Sequence, residues 1–235
     1  MLSDRKNDDF VNPQLTSNNI DRWLVRRSIL DELINCQSVF HGLFLDVGCG
    51  VMPYRSMLLA PPSKIQGYIG LDIPGTTYSP PDLYWDGSTI QIPDATIDSG
   101  MATEVLEHCP YPAIVLNEVH RVMKPGGSFF ITVPFLWPLH NVPYDEYRYT
   151  PFALKRLFSN AGFSSVELFA LGGWNASLAQ ILGLWVRRGP LSHRKRQILS
   201  TMAVPIVSYL SRKDVKPPVF SEGTMITGLA GLARK

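Results

Sequence analysis

Leu45-Asp-Val-Gly-Cys-Gly50 is the stretch whose reading decides the fold. The apolar run Leu43–Val47 ends in a Gly-x-Gly turn, the pattern of a buried strand running into a tight bend. Glycines there let the backbone approach a ligand without a Cβ in the way, and the amides that follow can face polar ligand groups. Two phosphate-binding motifs are excluded by the same residues. The dinucleotide fingerprint needs a third glycine where Pro53 stands, and no Gly-x-x-x-x-Gly-Lys-Ser/Thr run exists.

Outward from this turn, short strand patterns alternate with helical ones. Further strands are expected at Tyr68–Asp72, Asp82–Asp86, Ile97–Thr103, Ser128–Val133, Ser165–Leu171 and Thr224–Ala233. Helical spacing covers Trp23 to Cys36, Pro112 to Met123 (stopped by Lys124-Pro-Gly-Gly127) and Pro151 to Asn160, with Gly162 beyond. Two more apolar helical segments, Ala176–Val186 and Gln197–Leu210, lie in a stretch at 172–223. Such alternation means a largely parallel α/β sheet with crossover helices, and ligands then sit at the carboxyl ends of the strands.

Acids stand at those ends. Asp72 closes the second strand, where a carboxylate can accept from both hydroxyls of a ribose. Asp86 and Gly87 close the third, where an acid can accept from an exocyclic amine while the amide meets a ring nitrogen. Glu104 ends the fourth, in Ala-Thr-Glu-Val-Leu-Glu-His108. Three acids with no phosphate-binding basic residue nearby suit a nucleoside with a cationic tail.

From about Leu43 to Phe163, including IPDATIDSGMATEVLEH and EVHRVMKPGGSFFITVP, the sequence resembles the class I S-adenosylmethionine-dependent methyltransferases with an LDVGCG first motif. The resemblance implies a Rossmann-like, seven-stranded, mostly parallel sheet with helices on both faces and the last strand antiparallel. It implies S-adenosyl-L-methionine as cofactor. Asp46, Gly48 and Gly50 would line its methionine end, Asp72 the ribose, Asp86 and Gly87 the adenine, and Glu104 the amino group or sulfonium.

After the fifth strand comes an irregular segment at 135–150, read as an acceptor lid over the cofactor pocket. It holds His140, Tyr144, Asp145, Tyr147, Arg148 and Tyr149, a density that a mere connection does not need. An alcohol acceptor benefits from a base, and the unperturbed imidazole pKa of about 6.5 makes His140 the first candidate, with Asp145 as second base or as orienter. A structural knot of His140, Asp145 and Arg148 is the competing reading. Related His…Pro-x-Asp-x-x-Arg-Tyr-Thr-Pro sequences are similar to methyltransferases of bacterial glycan pathways. The resemblance thus implies O-methylation of a sugar or glycan intermediate, free or lipid-linked; C-methylation of a quinone-like or prenyl-linked acceptor and a non-catalytic binding protein are the alternatives.

Glu107 and His108 are read as organising the loop. No metal site is expected, because the five histidines form neither His-Glu-x-x-His nor a His/Cys cluster at zinc spacing. Three cysteines without a paired spacing suit reduced thiols and a cytoplasmic protein. No apolar run approaches the roughly 18 residues of a membrane span, and the N-terminus lacks a secretory apolar region. Length suggests one domain over 17–235 behind a flexible arm at 1–16.

The net charge of +2 hides an asymmetry. Residues 1–170 carry 12 Lys/Arg against 18 Asp/Glu, and residues 171–235 carry 10 against 2. The insertion at 172–223 is therefore basic at its helix ends and apolar on its faces. It reads either as a hairpin lying on an anionic membrane, which would place the protein at the inner membrane face, or as a pocket cap or homodimer surface. No nucleic-acid module accompanies the basic residues, so no nucleic-acid partner is expected.

Overall fold

The computed structural model describes residues 9–75 and 80–235. Seven strands form one sheet: β1 His41–Val47, β2 Lys64–Asp72, β3 Leu83–Tyr84, β4 Ile97–Thr103, β5 Met123–Pro134, β6 Ser165–Ala170 and β7 Gly228–Arg234, in the spatial order 3-2-1-4-5-7-6. β1 pairs in parallel with β2 and β4, β2 with β3, and β4 with β5. β7 runs antiparallel: Ser164 donates to Arg234 and Leu171 to Gly228, so pairing positions ascend on one strand as they descend on the other. The Rossmann-like α/β class expected from the sequence is what the chain forms.

The strand order reverses between β1 and β4, and that switch point is where an open α/β sheet offers a crevice. Both strands are buried over most of their length, as strands covered on both faces are; β1 is apolar through Leu43–Leu45, while β4 fills its place with small and polar residues, Ser99, Gly100 and Ala102 among them. Phe44, Leu45, Val47, Ile97 and Met101 are all buried, each worth about 1.5–3 kcal/mol of transfer free energy.

By packing, the chain falls into two compact units where length suggests one domain over 17–235. One comprises 33–134, 138–168 and 230–235. Its core stacks Phe44 on Tyr68 at 5.6 Å and sets Phe40 edge-on to Phe44 at 5.2 Å. Helix α3, Pro112–Val122, starts on a proline that has no amide to waste at the first turn, and buries Val115, Leu116, Val119 and Val122 on one stripe. α4, Pro151–Asn160, is capped by the Thr150 hydroxyl accepting from the Ala153 amide.

The other unit comprises residues up to 32, 135–137 and 169–229. Helices α5, Trp174–Arg188, and α6, His193–Arg212, pack with Ile20 and Leu24 around Ala176, Ala179, Val186, Ala203 and Val207. Gly183 permits this, since a Cβ there would lie 2.3 Å from the Ile20 carbonyl oxygen. Asp214 caps α5 from a distance, accepting from Gly173 and Ala176 amides at 2.8 and 2.9 Å. Gln180 donates to the Asp21 carbonyl and Arg188 pairs with the Asp21 carboxylate.

Residues 1–8 of the expected arm lie outside the described residues. Residues 9–16 are tied to helix α1, Trp23–Cys36: Arg26 pairs with Asp9 at 2.7 Å and the Trp23 indole donates to the Pro13 carbonyl. Among the described residues, no helix is long and apolar enough to cross a membrane.

Several boundaries differ from the sequence reading: β1 and β2 start earlier, at His41 and Lys64, and β7 later, at Gly228. β5 begins at Met123, directly after α3, but Met123 pairs with Ile97 and Ser128 with Ser99. Lys124 to Gly127 therefore bulge against the single residue Asp98, so the expected turn survives as an irregularity inside the strand. β3 shrinks to two residues: Asp86 turns its carboxylate onto the Ser88 amide of its own turn, and Asp82 accepts from the Gly70 amide on β2. α5 and α6 run longer than expected, taking in Arg187, Arg188, Arg194, Lys195, Arg196 and Arg212, whose side chains lose little rotamer freedom in a helix.

Candidate active site

At the end of β1 the chain turns through left-handed backbone at Gly48 (φ 66°) and Gly50 (φ 53°). Gly48 and Cys49 both donate to the Leu71 carbonyl, and Gly50 donates to the Asp72 carboxylate at 2.9 Å. The turn is thereby clamped onto the end of β2. A Cβ at Gly48 would meet Val105 Cγ2 at 2.5 Å, so the loop after β1 closes against the loop after β4. Asp72 is buried and also accepts from the Ile73 amide.

Asp46 lies beneath the turn with 2% exposure. Burial pushes its carboxyl up to about 7, against the hydrogen bond donated by the Tyr68 hydroxyl; the Asp72 charge pushes the same way as burial. Two residues outside the sequence reading complete this end. Tyr68 is one, and Asp82 is the other: it accepts from the Gly70 amide and pairs with Arg55, whose guanidinium lies over the Tyr68 ring. Nothing in the local pattern marks them, since they look like an ordinary strand tyrosine and a strand-end acid. Cys49 is buried, and burial pushes its thiol up to about 12, so it is a filler with no thiolate to offer.

Asp86 stands apart. Its carboxylate is exposed and one oxygen accepts from the Ser88 amide, the Ser88 hydroxyl and the Thr89 amide, which hold it down at about 2. Gly87 has φ 83° and open space around its missing Cβ.

At the end of β4, Glu104 adopts φ 55°, a strained conformation for a residue with a side chain. Its amide donates to the Thr132 carbonyl on β5, and its Oε1 has no hydrogen-bond donor among the described residues. Burial pushes this carboxyl up to about 7. Glu107 goes further: it is fully buried, neither oxygen has a donor among the described residues, and burial together with the Glu104 charge keeps it protonated well above the usual carboxylate range.

The two histidines meet over Glu107. His108 Nε2 lies 3.7 Å and His140 Nε2 4.0 Å from Glu107 Oε1, with the rings edge to face at 4.7 Å. His108 Nδ1 faces the Tyr144 carbonyl at 3.0 Å, and His140 Nδ1 faces Asp145 Oδ2 at 3.1 Å. Asp145 also takes a two-pronged pair from Arg148 at 2.6 and 2.8 Å and accepts from the His140 amide. The Arg148 guanidinium holds Asp145 well below the usual carboxylate range, so it orients and does not accept a proton. Burial lowers the His140 imidazole below its ordinary value, leaving it neutral at neutral pH.

The tyrosines are divided. Tyr147 and Tyr149 stack on each other, and their hydroxyls donate to the Pro110 and Leu106 carbonyls. With Glu146 and Tyr147 amides on the Glu107 carbonyl, they bind the segment after β5 to the loop after β4. Tyr144 is the exposed one.

The acids fit a cationic nucleoside. Asp72 keeps lone pairs at the end of β2, Glu104 presents a buried carboxylate oxygen without a donor among the described residues, and the turn between β1 and β2 carries glycines at positions 48 and 50.

Residues 45–131 match the family described as the methyltransferase domain. An uncharacterised methyltransferase of Mycobacteroides abscessus is 36% identical over 92 residues, covering 37% of this chain and 32% of that protein. A sterol 24-C-methyltransferase of Yarrowia lipolytica is 33% identical over 114 residues, covering 43% and 29%. The matches thus span about a third of the length of the curated relatives. A solved S-adenosylmethionine-dependent methyltransferase of Thermotoga maritima superposes with a TM-score of 0.55 at 16% identity, over 93% of this chain and 95% of that one. The chain therefore carries a methyltransferase-domain match at 45–131 within a sheet of the S-adenosylmethionine-dependent methyltransferase fold.

Proposed function

We propose that the protein transfers a methyl group from S-adenosyl-L-methionine to a hydroxyl of a sugar or glycan intermediate. The observation that carries this reading is His140, a neutral imidazole oriented by Asp145, in the same compact unit as the acid-lined glycine turn. When bound, the cofactor supplies an electrophilic sulfonium methyl.

Asp46 and Glu104 favour positive charge at the methionine end, and Asp72 accepts from the ribose hydroxyls. His140 Nε2 would take the proton of an acceptor hydroxyl as that oxygen received the methyl group the cofactor would supply, leaving a neutral thioether. Asp145 holds the ring through Nδ1, so that Nε2 carries the lone pair. Most of the acceleration comes from positioning in a water-poor pocket.

The test is incubation with methyl-labelled cofactor and fractionated glycans and lipids, followed by mass spectrometry. Label on a sugar oxygen supports the reading. Label on carbon of a quinone-like or prenyl-linked product overturns the acceptor assignment, and absence of cofactor binding by calorimetry overturns the enzyme assignment.

The acceptor is proposed to be lipid-linked, with α5 and α6 resting on an anionic membrane surface. Trp174, Leu178, Ile181 and Trp185 on α5, and Ile198, Met202, Ile206 and Tyr209 on α6, recur at helical spacing and are each about half exposed or more. Arg187, Arg194, Lys195, Arg212 and Lys213 flank them, with Asp214 and Glu222 the only acids beyond residue 170. Apolar stripes bordered by cations suit the boundary between headgroups and acyl chains, where each cation adds about 1 kcal/mol against anionic lipid. Flotation with phosphatidylglycerol vesicles at low salt tests this; no co-flotation overturns it.

A further inference from the structure

The geometry points to a divalent transition-metal site formed by Glu107, His108 and His140. The sequence gives no hint of it, because the ligands come from the loop after β4 and the segment after β5.

Three observations carry it. First, one ligand atom from each of the three residues falls within a common span of 4.8 Å. The Glu107 Oε1 to Nε2 separations of 3.7 and 4.0 Å need contract by about 0.3 and 0.6 Å, and the histidine pair, within 4.8 Å, by up to about 1.4 Å. Ligand atoms about 2.0–2.2 Å from a tetrahedral centre lie roughly 3.4 Å apart.

Second, Glu107 is a fully buried carboxyl with no hydrogen-bond donor on either oxygen among the described residues, at the floor of the cluster. A carboxyl buried this way ionises only beside a cation, which makes it a site for one. The Arg148 charge reaches Glu107, but its guanidinium is bonded to Asp145 at 2.6 and 2.8 Å. The histidine side chains are 21% and 24% exposed, so they form a rim through which an ion can enter.

Third, both imidazoles carry the outer support typical of metal-bound histidine. A ligating ring donates its other N–H to a carbonyl or carboxylate, which fixes the tautomer and turns the remaining lone pair to the metal. His108 Nδ1 has the Tyr144 carbonyl, and His140 Nδ1 has Asp145, itself fixed by Arg148. Two imidazoles and one carboxylate select zinc, manganese, iron or cobalt over magnesium or calcium.

Three protein ligands leave positions open. For its catalytic consequence only, the inference rests on the methyl-transfer reading. An acceptor hydroxyl at an open position would lose its proton more readily, the proton passing to solvent water, and His140 Nε2 would then be a ligand where the metal-free reading makes it the base. Binding itself does not depend on that reading.

The experiment uses the full chain, stripped with a chelator and titrated with Zn²⁺, Mn²⁺ and Co²⁺. One equivalent should bind, and bound Co²⁺ should give a visible absorption spectrum of a low-symmetry site. Glu107→Gln and His108→Gln, each checked for folding by circular dichroism, should weaken binding by roughly 10–100-fold or more. Wild-type affinity in both folded variants, or no stoichiometric binding by the wild type, overturns the site. Should a variant fail to fold, wild-type histidine resonances decide. Substoichiometric Mn²⁺ should broaden His108 and His140 before His41, His120 and His193, and the reverse order overturns the assignment. Metal binding without methyl transfer would sink only the proposed function, while methyl transfer by metal-free protein with no binding would sink only the metal site.

Discussion

Asp46→Asn should stabilise the ligand-free protein relative to wild type by an amount that grows with pH. The carboxyl is fully buried and its pKa rises from 3.8 to about 7, chiefly through desolvation. Because the folded pKa is the higher one, the native state holds a proton that the unfolded chain releases between these values. Wild-type stability is therefore lost as pH climbs from about 4 to 7, at about 1.4 kcal/mol per unit, and levels off above 7. Over roughly three units the penalty reaches about 4 kcal/mol. Asparagine has nearly the same shape, can still accept from the Tyr68 hydroxyl, and does not titrate. Its new amide donor adds a constant offset of about 1–3 kcal/mol if it finds no acceptor, so the quantity to measure is the slope. Urea unfolding of both proteins at half-unit steps from pH 4.5 to 8.5 gives it. The stability difference, variant minus wild type, should rise towards pH 7 and then flatten. A difference independent of pH, or one that falls towards pH 7, would refute the argument that Asp46 is held neutral by burial. The same variant should bind S-adenosylhomocysteine and the cationic cofactor with reduced preference for the cation.

The glycine turn is tested by Gly48→Ala, which combines φ 66° with a contact to Val105 at 2.5 Å. It should cost about 1–3 kcal/mol in denaturant unfolding, with partial recovery in the Val105→Ala background if the clash contributes. His140→Ala and Asp145→Ala should each lower turnover by about 10²–10⁴-fold while calorimetry shows cofactor affinity retained; unchanged turnover in both would remove the proton-acceptor assignment. Leu178→Glu combined with Met202→Glu replaces two side chains more than half exposed. The pair should reduce vesicle co-flotation at least about tenfold, given roughly 1.5–3 kcal/mol for each large apolar side chain buried, without lowering the melting temperature.

What the sequence makes legible is what lies close in sequence or repeats. The β1 turn announces itself because glycine is the residue that takes positive φ cheaply, and strand ends at Asp72 and Glu104 follow from apolar runs stopping at acids. Helix α3 is legible from its stripe and its initial proline. Tyr68 and Asp82 are not legible, because each acts through a neighbour on another segment: the Tyr68 hydroxyl reaches Asp46 and the Asp82 carboxylate reaches the Gly70 amide. The cluster at Glu107 is the extreme case. Its histidines lie in different loops, and motif spacing registers ligands only when one helix or turn presents them together. Asp86 shows the converse. It sits where a strand-end acid is expected, yet its carboxylate is engaged by its own turn.

These carboxylates pose one electrostatic problem. Asp46 and Glu107 are buried, Glu104 is half-buried with one oxygen inside, and all three are shifted upward, because the charge of Arg148, bonded to Asp145, offsets only part of the burial of Glu104 and Glu107. Without a ligand, the least costly state keeps protons on them, since burying an uncompensated charge costs several kcal/mol. The Glu104 charge raises Glu107 further, so ionising one makes the other hold its proton harder. On the proposed reading, a cation at Glu107 relieves that repulsion and lets Glu104 ionise towards the sulfonium end. A cofactor charge near Glu104 in turn favours an ionised Glu107. Coupling of this kind is reciprocal by linkage, so the affinity each positive ligand gains through the carboxylate pair is set against their direct repulsion. Burial makes that trade worthwhile: the acids that cost the ligand-free fold stability are the ones whose charge only a cation can restore.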